Sequence, residues 1–309
     1  MTGLSKIQWT DATLNPSTGC TQISPGCDNC YAKRLTERFN GPGSFDRVHL
    51  HPNRIEHPFR WRKSKMVFVN SMSDLFHQDI PDEFIARMWA VMSLTPHHIY
   101  QVLTKRHGRM RSLLRSHAWW TQVRIHVSEF QDRYRTGGTS YNADGPRLMN
   151  VWGGVSVEDQ KRAALRVQTL LETPLAVRFL SCEPLIGPLD LERHDGQLTY
   201  WLSGQPDWGP PGPSGTGLDL RDLVVAPRID WVIAGGESGP LARPMDLDWV
   251  RTIRDQCAGA GVPLFVKQLG EVWARHLDTE VKGGDPAAWP ADLRVRQFPQ
   301  LPAEAVYHA

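Results

Sequence analysis

The sequence predicts an α/β fold, a full or partial parallel (β/α) barrel carrying two loop insertions. Three observations carry that expectation. Short apolar runs rich in β-branched and aromatic residues alternate with segments of helical period. Those runs lack polar alternation, as strands covered on both faces do. Nearly every run is followed at once by charged or hydroxyl side chains, and in parallel β/α folds the site lies at the carboxyl ends of the strands.

Taken in order, a first strand is expected before Cys20, and a first helix starting at Cys30 that buries Tyr31, Leu35 and Phe39. The run 66–70 reads as a strand leading to Ser71, Ser73, Asp74 and His77, followed by a helix striped with Phe84, Met88, Val91 and Met92. The run 98–103 leads to Thr104, Lys105 and Arg106. Residues 119–149 are polar, with a Thr-Gly-Gly-Thr-Ser turn, and read as the first insertion. The run 151–155 ends in Ser156, Glu158 and Asp159, before a helix with Leu165, Val167, Leu170 and Leu171. The run 177–181 leads to Glu183; residues 195–227, rich in Gly and Pro, read as a second insertion and a candidate lid. The run 231–235 passes into Gly236-Glu237-Ser-Gly239, then a helix with Trp249, Ile253 and Cys257 that stops near Gly259–Gly261. A last strand over 264–268 carries Lys267 and Gln268. The count is about seven strands in one domain over residues 1–273, with 274–309 a C-terminal extension. Ser73, Asp74 and Ser156 also suit helix capping.

At 309 residues the chain can bury a full core, and 40% hydrophobic with 22% charged residues is ordinary globular composition. No run approaches membrane-spanning length and the first nine residues hold no apolar signal core, so a cytoplasmic location with reduced thiols is expected and no membrane partner. A net charge of +2 gives no global attraction for nucleic acid. Two local stretches differ. Residues 47–66 hold six Lys/Arg against one Glu, interleaved with Phe59 and Trp61, and residues 105–115 hold Lys105, Arg106, Arg109, Arg111 and Arg115. Both are candidate nucleic-acid contacts, and solvated charged faces are the alternative.

The most telling residues are Cys20, Cys27 and Cys30, spaced Cys-x6-Cys-x2-Cys. Three thiolates hold three corners of a [4Fe–4S] cube and leave one iron open to a small molecule, whereas electron-transfer ferredoxins generally supply four. A zinc site completed by His49, His51 or His57 is one alternative, although such sites are normally closed by four ligands in paired spacing. Plain structural cysteines are the other. Cys182 and Cys257 end or sit within apolar patterns and read as core.

The stretch Asn15-Pro-x-x-Gly-Cys20, then Gly26-Cys27-x-x-Cys30-Tyr31-Ala-x-Arg34, resembles the cluster loop of radical S-adenosylmethionine enzymes, particularly the spore photoproduct lyase-like branch. It departs from their usual Cys-x3-Cys-x2-Cys by three residues in the first gap, which lengthens a loop without changing the number of thiolates. Most of the chain is similar to a phage-associated three-cysteine-motif family classed as a domain of unknown function. That likeness rests on Lys6-Ile-Gln-Trp-Thr-Asp-Ala-Thr-Leu-Asn-Pro16, Ser71-Met-Ser-Asp-Leu-Phe-His77, Leu103-Thr-Lys-Arg106, Gly154-Val-Ser-Val-Glu158, Leu180-Ser-Cys-Glu-Pro-Leu-Ile-Gly-Pro-Leu189 and Gly235-Gly-Glu-Ser-Gly-Pro-Leu-Ala-Arg-Pro-Met245. Its members often neighbour a gene for a three-Cys-motif partner protein, which implies such a partner here.

The resemblance implies a barrel of radical S-adenosylmethionine type. Cys20, Cys27 and Cys30 would ligate three irons, and the fourth would chelate S-adenosylmethionine, whose one-electron cleavage gives a 5′-deoxyadenosyl radical. On charge grounds Ser71, Ser73 and Asp74 are candidates for the cofactor's ammonium, Lys105 or Arg106 for its carboxylate, and Glu158 with Ser156 for its ribose. Glu183, Glu237 and Lys267 are the candidate catalytic or substrate-side groups. The expected function is therefore a radical enzyme acting on nucleic acid or a nucleobase lesion. A nucleic-acid-binding protein stapled by zinc or a cluster, and a barrel hydrolase using the rim carboxylates, are the alternatives.

Overall fold

The computed structural model describes residues 5–134, 147–204, 227–277 and 281–300. Seven parallel strands form one curled, half-barrel sheet: β1 (Ala12–Leu14), β2 (Met66–Val69), β3 (Ile99–Thr104), β4 (Val151–Ser156), β5 (Val177–Cys182), β6 (Trp231–Gly235) and β7 (Leu264–Gln268). Their spatial order is their order in the chain, so each connection returns the chain one place along the sheet. That singly wound course makes a sheet curl toward a barrel and leaves β1 and β7 as its two edges.

Between strands lie α1 (Tyr31–Asn40), α2 (Asp82–Leu94), α3 (His107–Leu114), α4 (His117–Tyr134), α5 (Gln160–Leu171) and α6 (Leu247–Ala260). They cover the convex face through side chains such as Val67, Val69, Val102 and Val155, which alternate with the inward set. Asp159 and Asp246 cap α5 and α6 by accepting from Arg162 N and Asp248 N, and Gly261 ends α6 in the left-handed region at φ +65°.

The concave face is graded. Its floor is aromatic: Phe68, Trp152, Phe179, Trp231 and Phe265, with Trp9 inserted from the segment before β1. Trp9 lies 4.6 Å from the Phe68 ring and edge-on to Trp231 at 6.2 Å. Gly154 has no side chain there because a Cβ would stand 2.6 Å from the Phe179 ring. Toward the carboxyl ends the same face turns polar, through Ser156, Ser181, Glu183 and Lys267.

Three expectations of local structure change. The first helix does not bury its apolar stripe: Tyr31 and Leu35 are each 45% exposed and Phe39 is 74% exposed, while Ala32 is the buried residue. The stretch read as a first insertion opens with α4, which buries Trp119, Trp120, Val123 and Phe130 against α2. Its remainder, residues 135–146, lies outside the described residues, as do residues 205–226 of the second. The region read as an extension returns to the sheet: Val266 N donates to Val295 O at 2.8 Å, and Trp289 and Leu293 are buried.

Candidate active site

The cysteine loop leaves β1 and is tied down residue by residue. Asn15 Oδ1 accepts from Met72 N at 3.0 Å and from Ser71 Oγ at 3.2 Å, which joins the loop to the end of β2. Gly19, at φ +92°, lies so close to Arg47 that a Cβ would meet its carbonyl oxygen at 1.9 Å. Only glycine fits that turn. Thr21 Oγ1 bonds His77 Nε2 and accepts from Arg106 Nη2, both at 2.8 Å. Ser24 Oγ donates to Glu158 Oε1 at 2.6 Å.

The loop's far side is strapped to the segment after β6. Arg243 donates to both oxygens of Glu237 (2.9 and 2.6 Å), to Asp28 Oδ2 at 3.1 Å and to Pro25 O at 2.9 Å. Asn29 Nδ2 donates to Glu237 Oε2 and to Leu241 O. Arg243 and Asn29 hold the Glu237 carboxyl below its ordinary value in spite of burial.

Cys20, Cys27 and Cys30 all line one lobe of a cavity at the carboxyl ends of the strands, with Asn70, Ser71, Ser73, Asp74, Lys105 and Ser156. Burial, and next the charge of Asp74, push the Cys20 thiol up to about 11. Cys30 stands at the N-cap position of α1, where the helix presents partial positive charge to an anion. A second lobe shares Cys30, Tyr31, Phe68, Leu103, Lys105 and Ser156 with the first and adds Glu183, Glu237 and Lys267. Lys267 Nζ and Glu183 Oε1 form an ion pair at 2.5 Å.

The structure thus brings eleven of the thirteen sequence-predicted residues onto two joined lobes; Arg106, turned to Thr21, and Glu158 line neither. Their partners redistribute the roles. Glu158, expected to meet a ribose, lies fully buried beneath the cysteine loop; it pairs with Arg166 at 3.0 Å and lines neither lobe. Asp74 accepts from Thr104 Oγ1 (2.7 Å), Lys105 N (3.0 Å) and Phe76 N (3.0 Å), which commits most of its acceptor capacity to the turns after β2 and β3. Ser73 Oγ bonds the Ser17 hydroxyl and donates to its carbonyl.

Asn70 was missing from the sequence-derived set. It lines the first lobe, is 3% exposed, and adopts the left-handed region at φ +61°. Its Oδ1 has no hydrogen-bond partner among the described residues. Arg243, Arg166, Ser24 and Asn29 were missing too. Arg243 falls inside one of the recurring motifs together with its partner Glu237, but its other two partners, Asp28 and Pro25, are more than two hundred residues away, and nothing local signals them.

The side chains of the two basic stretches have different surroundings. In 105–115, Lys105 donates to Ser156 Oγ, Arg106 to Thr21, Arg109 to Ile80 O and Asp82, and Arg111 pairs with Glu172. In 47–66, Arg60, Arg62, Lys63 and Lys65 precede β2 and so sit at its amino end, opposite the cavity.

Among the described residues no three His, Cys, Asp or Glu side chains are grouped to hold a single metal ion. A cluster makes a different demand, since each thiolate ligates a different iron. Three thiols on one wall satisfy it, and the two carboxylates beside them are engaged: Asp74 as above and Asp46 with Lys33 at 3.2 Å. The donor set therefore fits a three-thiolate cluster, and the orphaned Asn70 oxygen suits a ligand with a donor in the same lobe.

Against known proteins, the model of a family described as "Protein of unknown function (DUF5131)" matches residues 4–294. No curated protein matches the chain. Among solved structures it is similar to "Spore photoproduct lyase complexed with dinucleoside spore photoproduct", at 12% identity and a TM-score of 0.39 over 83% of this chain. The chain spans 63% of the length of that protein.

Proposed function

The chain belongs to the family described as Protein of unknown function (DUF5131), and from that premise we propose that it is a radical S-adenosylmethionine enzyme. The observation that carries the reading is the shared wall: Cys20, Cys27 and Cys30 line one lobe at the carboxyl ends of a parallel half-barrel, with no carboxylate left free beside them. When bound, a [4Fe–4S] cluster charged by an external one-electron reductant would supply the electron that cleaves S-adenosylmethionine into methionine and a 5′-deoxyadenosyl radical able to abstract a substrate hydrogen.

The protein's part is to hold and orient. Cys20, Cys27 and Cys30 hold the cluster. Asn70 Oδ1, buried without a donor among the described residues, would accept from the cofactor's ammonium, and Lys105 would meet its carboxylate. Ser156 Oγ accepts from Lys105 Nζ at 3.2 Å and keeps the lysine's ammonium aimed into the lobe. Tyr31, Phe68 and Leu103 form the apolar wall common to both lobes and exclude water between them. Glu183 and Lys267 lie on the substrate side. As a close ion pair they keep opposite charges in place, and either can exchange a proton with a bound substrate.

The test is anaerobic reconstitution with iron and sulfide, followed by EPR of the reduced protein with and without S-adenosylmethionine. The expected result is a [4Fe–4S]⁺ signal that changes on adding the cofactor. Cys27→Ala should lose the cluster and all 5′-deoxyadenosine production while staying folded. Zinc bound in place of iron would remove the reading. A hydrolase working through Glu183 and Lys267 would instead keep its activity in Cys20→Ala and in air.

A further inference from the structure

The second lobe opens on the unclosed side of the half-barrel, between the two edge strands. Lys6 leads into β1 and Lys282 follows β7; both line this lobe and neither lines the cysteine lobe. The backbone of Lys282 is held there deliberately. It adopts φ +78°, a left-handed conformation costly for a side chain with a Cβ. Its carbonyl accepts from Gly270 N at 3.0 Å, and the next carbonyl, of Gly283, accepts from Leu269 N at 3.0 Å and Trp289 Nε1 at 2.9 Å.

The charges of the lobe do not balance. Its two carboxylates are already matched: Glu183 by Lys267 and Glu237 by Arg243. Lys105 shares the deeper Glu158 with Arg166. The side-chain ammonium groups of Lys6 and Lys282 make no hydrogen bond or ion pair with the described residues. Two exposed, uncompensated ammonium groups at one opening favour a ligand with about two negative charges there. A phosphate monoester carries roughly that charge at neutral pH.

We propose that Lys6 and Lys282 bind the phosphate of a substrate entering the open side of the half-barrel, with the rest of the substrate passing inward to Glu183, Lys267 and the apolar wall. This deepens the proposed function by naming the substrate class, and it is tested by binding alone. Phenyl phosphate, benzoate, benzyl alcohol and a 5′-phosphorylated single-stranded oligonucleotide are titrated by calorimetry into cluster-free and reconstituted protein. Phenyl phosphate should bind saturably, benzoate more weakly and benzyl alcohol not at all. The double variant K6E/K282E should lose at least tenfold in affinity while keeping its circular dichroism spectrum and its iron content. If the oligonucleotide binds more tightly and is equally sensitive to K6E/K282E, the phosphate belongs to a strand; if phenyl phosphate binds as tightly, it belongs to a small ester. No saturable binding of either phosphate, or unchanged affinity in the double variant, overturns the proposal. Failure to take up iron would remove the radical reading and leave this one standing.

Discussion

Asp74 and His98 are two buried polar side chains with opposite electrostatic situations. Asp74 is surrounded by donors, so truncating it strands Thr104 Oγ1 and the amides of Phe76 and Lys105. Asp74→Ala should cost about 2–4 kcal/mol, the range for breaking a buried charged network. Urea unfolding measures that loss, and an unchanged midpoint would contradict it. His98 is fully buried against Trp61 and Tyr100, with Nδ1 unpartnered and Nε2 3.4 Å from Pro58 O. Burial, and then His97, push its pKa down to about 4 from an ordinary 6.5. The folded state therefore resists a proton that the unfolded chain accepts. The stability associated with neutral His98 is complete above pH 6.5 and is lost as pH falls toward 4, about 3 kcal/mol in all. Replacing it by Gln should flatten stability against pH in that window; a curve as steep as wild type would rule this out.

Among the elements, the strap from the cysteine loop to the segment after β6 joins parts of the site that the sheet alone does not fix. Arg243→Ala removes four of its bonds and leaves the buried Glu237 carboxylate with only Asn29 and the amide of residue 243 as donors. Amides of residues 20–30 should then exchange with deuterium at least tenfold faster, with α6 unaffected, and iron should be retained less well after reconstitution. Equal exchange in mutant and wild type would show the strap to be idle. Strands were legible because apolar runs without alternation have few other homes, and β6 and β7 fall on the expected residues. Helix α1 was misread because a stripe at Tyr31, Leu35 and Phe39 signals a face, not which way it points. The helix rests on Ala32 and on Arg34 against Gly239, and its larger side chains border the cavity mouth or solvent. The three cysteines were legible from spacing; the roles of Arg243, Asn70 and Glu158 needed the fold, since Asp28, Ser17 and Ser24, which they meet across the site, come from distant parts of the chain.

For the molecule as a whole, Trp9 takes the place of the strands a closed barrel would have. It stands between the edge strands and touches Phe68, Phe179 and Trp231, so the aromatic floor is one packed unit. Trp9→Ala should cost about 3–5 kcal/mol and lower the thermal midpoint, as large-to-small changes in cores do. A loss below 1 kcal/mol would mean that the half-barrel holds its curvature without the plug.

The strap also sets an order of events during synthesis. A ribosome releases this chain from its amino end, so Asp28 waits for Arg243, 215 residues later, before its side of the loop can settle. The thiols are made first and their seat is finished late. An inorganic group that needs the finished seat would then enter a nearly complete protein rather than serve as the nucleus around which it folds.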